Sequence, residues 1–402
     1  MDKGYLIDRF FTRLVWLLVF LIPINSFASV RLEVVLFLVA LVLMRGYIQD
    51  FLRLSWDLLL YLLFILVGIG YSLHPQEGWQ FAETSFSLMA FPAIFYATVR
   101  LRTANEEDLQ SAFLAGSLIS SAVLLVHAVF RFSQSGDPSV FLFYELTTFL
   151  GFQPTYFAYY LIFAISVSLH RLWTTSTAKD FLIYAFASLF LFGVFLLTGG
   201  RTASVGIVLV LSYFVLLYLT EERKVHAHWR VAISGVMLLL LFFVNAYEQQ
   251  TPEFLQHDGW ERGQLWIAAI KALPSLWLGA GTGAVHFVLN DYYNQAGLGD
   301  FAIQNLNPHN QFLHTLIANG VIGVGLLLIV MARPLLRAVS YRSPMLIIYF
   351  FPIWVYSISE VILGRYQGVV FFAFVYSFVH MSCERKRLES MTFPANDSRH
   401  AR

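Results

Sequence analysis

The sequence predicts an all-α polytopic membrane protein of about twelve transmembrane helices, with one long outer loop containing short helices. Three observations predict it. First, 58% of the 402 residues are hydrophobic and only 13% are charged, whereas a soluble domain carries about twice that charge fraction. Second, apolar stretches able to cross the roughly 30 Å hydrocarbon layer recur along the chain, each bounded by polar or charged residues. Third, the resulting topology collects most of the Lys and Arg on one side. Other classes fall away on the same grounds. A net charge of +1 without a concentrated basic patch gives no footing for nucleic acid. The single cysteine, Cys383, rules out an internal disulfide and a multi-cysteine metal site.

In chain order the predicted helices run over residues 14–27, 32–44, 56–71, 81–99, 109–132 and 155–170, then 181–198, 203–219, 231–247, 311–331, 345–361 and 369–381. The first, with Arg13 before it and Ser26-Phe27-Ala28 after it, shares the layout of a signal peptide; removal after Ala28 would leave every later helix oriented as before. An even helix count puts both termini on one side, and positive charge says which. With the amino terminus cytoplasmic, twenty of the 26 basic residues lie inside; only Arg31, Arg131, Arg201, Arg262, Lys271 and Arg365 lie outside. A wrong count would invert every later loop and destroy that split. The chain then reads as one transmembrane domain over 1–402, with an outer loop at 248–308 and a cytoplasmic tail at 388–402.

The loop is the one extramembrane segment long enough for structure of its own. Residues 262–273 have helical spacing, with Trp266, Ile270 and Leu273 on one face, as expected of a helix lying against the membrane surface. After Pro274, Gly279-Ala-Gly-Thr-Gly283 forms a turn whose missing side chains would let backbone amides approach a ligand. A plain loop turn is the competing reading.

The six outer cations call for an anionic partner, because the positive-inside bias clears such residues unless something retains them. Arg201 sits in Leu197-Thr-Gly-Gly-Arg-Thr-Ala203, a very tight turn between two apolar helices, and a guanidinium matches phosphate bidentately. Arg262 follows Glu261, and Arg365 follows Glu360 in the last outer turn, where pairing between those two accounts for both. The most specific feature is Asn307-Pro-His-Asn-Gln-Phe-Leu-His314. Pro308 favours a helix starting at or just after it, which places His309 and Asn310 near its amino-terminal turn. The positive end of a helix attracts anions and favours the neutral imidazole, the form that accepts a proton. His314, about 140° further round the same helix at 3.6 residues per turn, is expected to point elsewhere. With no Asp, Glu or Cys at ligand spacing nearby, no metal is expected.

His309-Asn310, nine residues, then Gly320-Val-Ile-Gly323 resembles the signature of the bacterial O-antigen ligases. The turn Thr198-Gly-Gly-Arg-Thr-Ala203 resembles the arginine-bearing turn of the wider O-antigen ligase and polymerase superfamily. Arg262 with Trp266, Pro274 and Gly279–Gly283 resembles the start of its large periplasmic loop. These motifs span residues 197–324, and the layout agrees over the whole chain.

The resemblance implies a glycosyltransferase of GT-C-like architecture at the periplasmic face of the bacterial inner membrane. It would move a glycan from an undecaprenyl-pyrophosphate carrier to a sugar hydroxyl of lipid A–core, with no cofactor. His309 would be the base, Arg201 and Arg262 would hold the pyrophosphate, and Asn310, Gly320, Gly323 and Arg365 would support the site. A polymerase of the same superfamily, a related protein oligosaccharyltransferase, and a lipid-carrier or polysaccharide transporter are the competing readings. Transporters place charge near the bilayer midplane and show internal repeats; here the distinctive residues sit at the outer rim.

Overall fold

The computed structural model describes residues 3–101, 105–199, 201–220, 235 and 252–392. The predicted helix at 231–247 and the last ten residues of the tail lie outside them. Among the described residues every regular element is helical. The first half comprises α1 (Lys3–Leu21), α2 (Ser26–Leu43), α3 (Ile48–Gly70), α4 (Pro75–Thr84), α5 (Ser87–Leu101), α6 (Glu106–Ser135), α7 (Phe143–Thr147) and α8 (Pro154–Thr174). The second comprises α9 (Ala178–Leu197), α10 (Arg201–Thr220), α11 (Pro252–Lys271), α12 (Val285–Gln295), α13 (Gly299–Ile303), α14 (Gln311–Ser340), α15 (Pro344–Ser357) and α16 (Tyr366–Thr392).

Among the described residues seven helical segments, α4 and α5 counted together as one, are long and apolar enough to cross a membrane, or eight if α7 and α8, bent by 79° with the short turn between them, count as one span. The chain is therefore a polytopic helical membrane protein. Its helices divide by environment. The α16 window is 89% buried, and the α4–α5 window 72%, whereas the α2 window is only 28% buried. Accordingly α2 turns Val34, Val35, Leu38, Leu41 and Val42 outward, the arrangement expected where the surrounding solvent is hydrocarbon. At the centre α5, α6, α8 and α16 meet through aromatic rings, with Phe113 stacked on Phe374 at 5.2 Å and Phe163 edge-on to both at 5.0 and 5.4 Å. Ring pairs at this spacing add about 0.5–1.5 kcal/mol beyond their burial, which makes this cluster the rigid axis of the molecule.

Several predicted boundaries shift. Helix α14 continues nine residues past the expected end at 331, carrying Arg333 and Arg337 inside the helix. The reason is neutralisation: the Arg333 guanidinium pairs with the buried Asp57 of α3, and Tyr376 of α16 donates to the same carboxylate at 2.7 Å. Arg337 pairs with Glu384 at 3.2 Å, and Arg387 joins that carboxylate at 2.9 Å. Three helices are thus fastened at this end. The predicted segment at 81–99 is two helices, α4 and α5, meeting near Ser85.

The expected surface helix exists as α11, but its protein-facing side is Leu265, Ala268 and Ala269, packed on α12 and on Ile317 and Ala318 of α14. Ile267 and Ile270 are exposed, Ile270 by 59%. Small residues form the packed side because α11 lies close against its neighbours, which leaves the bulkier side chains to the outside.

Candidate active site

The segment before α14 is built by local hydrogen bonds. Asn307 Oδ1 accepts the His309 amide at 2.8 Å, and His309 adopts a left-handed φ of 41°. A residue with a Cβ in that region costs about 1–3 kcal/mol and persists only where its surroundings impose it. Here Asn310 imposes it as the helix cap: its Oδ1 accepts the Leu313 amide at 3.0 Å, while its Nδ2 donates to the Ile358 carbonyl at 2.9 Å. Gln311 acts in parallel, its Oε1 accepting the Leu363 amide at 2.8 Å. Two consecutive amide side chains therefore clamp the 358–363 turn against the start of α14.

The clamp delivers Glu360 to His309. The carboxylate oxygens lie 3.3 and 3.4 Å from Nδ1, with side-chain exposures of 33% for the histidine and 17% for the glutamate. A carboxylate on Nδ1 selects the tautomer that carries its proton there and leaves Nε2 as the acceptor. The expected pairing of Glu360 with Arg365 does not form; among the described residues no ion pair joins them, because Glu360 is committed to His309. Arg365, which precedes α16, instead lines the same cavity.

That cavity has a volume of about 810 Å³. It is lined by His309, Glu360, Arg365 and Tyr156, and from α4 and α12 by Glu77, Gln80, His286 and Asn290. His314 lines it too, contrary to the helical-wheel expectation. The wheel applied to both histidines, yet His309 precedes the cap and is off the helix, so the 140° separation has no meaning. His314 is stacked on Phe81 of α4, ring centroids 5.9 Å apart. On α12, burial pushes the His286 imidazole below its ordinary range, opposed by the Glu77 carboxylate across from it.

The other site candidates fall as follows. Arg201 is the first residue of α10, its side chain outside the described part; the turn before it packs closely, since a Cβ on Gly199 (φ 61°) would strike the Phe143 ring. Arg262 lies on α11 and is not among the residues that line the cavity. Among the described lining residues Arg365 is the one arginine.

Of the amides in Gly279–Gly283, those of Gly279 to Thr282 bond the chain itself, as the plain-turn reading expects, while Gly283 lines the cavity. Ala280 donates to Ile317 O at 2.7 Å, Gly281 to Ala318 O at 2.9 Å and Thr282 to Gly68 O at 3.1 Å. Thr282 Oγ1 donates to Ile65 O at 2.8 Å and accepts from Asn319 Nδ2 at 3.2 Å. Gly279, Gly281 and Gly283 all have positive φ, and a Cβ at any of them would strike α14, Ser72 or α4 respectively. Gly320 belongs to the same construction: with φ 63° and ψ −166° it breaks α14, and a Cβ there would strike the Trp277 backbone.

Glu77, His286 and Asn290 were not singled out by sequence, and Glu360 was named only as a partner for Arg365. Glu360 did carry a signal, since a carboxylate in a short turn between apolar helices needs a partner, and Asn310-Gln311 beside His309 provides two amides able to hold such a turn. The α4–α12 wall carried none, its members lying some 200 residues apart in the chain.

Residues 186–328 match the family model described as O-antigen ligase. The match includes Arg201, Arg262, His309, Gly320 and Gly323 and stops short of Glu360 and Arg365. None of the curated proteins compared with the chain matches it.

Proposed function

We propose that this chain, whose family match supports membership of the O-antigen ligase/polymerase superfamily, transfers a glycan from undecaprenyl pyrophosphate to a sugar hydroxyl of lipid A–core at the periplasmic face of the bacterial inner membrane. The observation that carries the reading is a histidine held at Nδ1 by a carboxylate 3.3 Å away, beside an arginine, in one open cavity at a helix mouth. In this reading His309 Nε2 takes the proton of the acceptor hydroxyl as its oxygen attacks the anomeric carbon. The bond from that carbon to the phosphate oxygen breaks, the pyrophosphate leaves on its carrier, and the configuration inverts. General-base assistance of this kind contributes about 10²- to 10⁴-fold. Glu360 is a positioning residue: it orients the imidazole and balances the charge that the ring acquires.

Arg365 supplies positive charge where the leaving diphosphate develops its negative charge, a preorganised contribution of about 3–4 kcal/mol per donor. Arg201 and Arg262 are proposed as further pyrophosphate contacts on the strength of the family motif, and the chemistry needs no cofactor. The deciding experiment gives purified protein a carrier-linked glycan together with lipid A–core. Glycan attached to lipid A–core is the expected product. Lengthening of the carrier-linked glycan instead would make the protein a polymerase, and translocation without bond formation would make it a transporter.

A further inference from the structure

The cavity lining includes groups that the proposed mechanism does not use. The part of it that comes from α4 and α12 carries groups with unused hydrogen-bonding capacity. Asn290 Nδ2 donates to Asn305 Oδ1 at 2.9 Å, leaving Asn290 Oδ1 buried without a partner, and His286 Nδ1 is buried without one as well. Each unpaired buried polar atom costs about 1–3 kcal/mol, and both side chains line the cavity. Among the described residues the Glu77 side chain has neither an ion pair nor a hydrogen bond, and it faces the same space. Beside them Phe287 is 40% exposed, lines the cavity, and is fixed by stacking on His74 with ring planes 6° apart.

We infer that this wall is the acceptor subsite, and that it holds a neutral pyranose by its hydroxyl groups. This rests on the glycosyl-transfer reading above. The groups suit the ligand: an amide or an imidazole can donate to a hydroxyl or accept from one, a carboxylate accepts from one, and an immobilised aromatic ring presents an apolar surface to the C–H face of a sugar ring. The charge pattern assigns the two substrates to different parts of the lining. The wall's one charged group is the Glu77 carboxylate and it has no cation among the described lining residues, so a pyrophosphate is repelled from it and drawn toward Arg365. An uncharged sugar meets no such penalty. Seated on the wall, its hydroxyl projects into the cavity toward His309.

The test uses the full-length protein with Asn290→Ala, His286→Gln and Glu77→Gln introduced singly. Initial rates are measured against a core oligosaccharide and, separately, against the carrier-linked donor. The expected result is a rise of about tenfold or more in the apparent KM for the oligosaccharide, with the donor KM unmoved. A rise in the donor KM instead, or no change in either, overturns the assignment. Thermal melting in detergent identifies any variant that fails to fold, and His286→Gln retains hydrogen-bonding capacity as the milder substitution. A second arm separates this inference from the reading beneath it: binding of the oligosaccharide, without donor, is followed by intrinsic tryptophan fluorescence. If the wild type transfers nothing yet binds the oligosaccharide and Asn290→Ala weakens that binding, the transfer reading fails and the subsite stands. If the wild type transfers but the variants bind and react as it does, the subsite fails alone.

Discussion

The two ends of the helix bundle hold similar kinds of residue and put them to opposite use. At the Arg333 end every named charge is answered: Asp57 by Arg333 and Tyr376, Glu384 by Arg337 and Arg387. Apart from Arg387 and Glu384, both on α16, the partners come from different helices. At the His309 end the charges line about 810 Å³ of open cavity; among the described residues Glu360 pairs with His309 alone and Arg365 forms no ion pair. A closed network spends its electrostatics on holding helices together, whereas an open one keeps them available for a ligand. The contrast teaches that a charged residue in such a protein is best read by whether its partner is already present.

Four substitutions can break or sharpen that contrast. His309→Ala is expected to lower glycan transfer by about 10²- to 10⁴-fold while leaving the melting temperature in detergent near that of the wild type. Asp57→Ala should do the reverse, because it leaves the Arg333 guanidinium without its buried carboxylate. Removing one member of such a pair destabilises by about 3–5 kcal/mol, and the lower figure applies since Arg333 is 20% exposed. The readout is thermal melting, with activity per folded molecule retained. If Asp57→Ala abolished transfer without lowering the melting point, the structural assignment of that end would be wrong. Glu360→Gln keeps the shape and removes the charge that orients His309, so transfer should fall by about 10- to 100-fold with little change in stability. The smallest effect is expected of Gly320→Ala, where a Cβ meets the Trp277 backbone at a positive φ. About 1–3 kcal/mol of strain should appear as a lower melting point and a modest loss of rate.

Much of this was legible in the sequence. Lipid as solvent followed from composition, and the helix start beside His309 followed from Pro308 and Asn310. The rest escaped for physical reasons. Helix ends moved wherever a charge found a partner on another helix, as at Arg333, because local pattern cannot show distant neutralisation. The position of His314 was misjudged because one residue of left-handed backbone took His309 off the helical wheel. Glu360 was assigned to the cation five residues away when its partner lay 51 residues earlier, across a turn whose placement depends on the side chains of Asn310 and Gln311. The glycine cluster was recognised as a place of close backbone approach, but what approaches it is the protein itself.

That approach has a consequence for how α14 exists at all. Where Gly320 interrupts the spiral, Val321 turns its amide to the Leu276 carbonyl at 2.8 Å, and the carbonyls of Ile317 and Ala318 receive amides from Ala280 and Gly281. Backbone polar groups left unpaired in hydrocarbon are costly enough that a spanning segment must satisfy them all. The helix therefore completes its own ladder only when strangers from some forty residues upstream stand in the gap. What reads along the chain as a glycine-rich linker is, in hydrogen-bonding terms, the missing turn of a membrane helix.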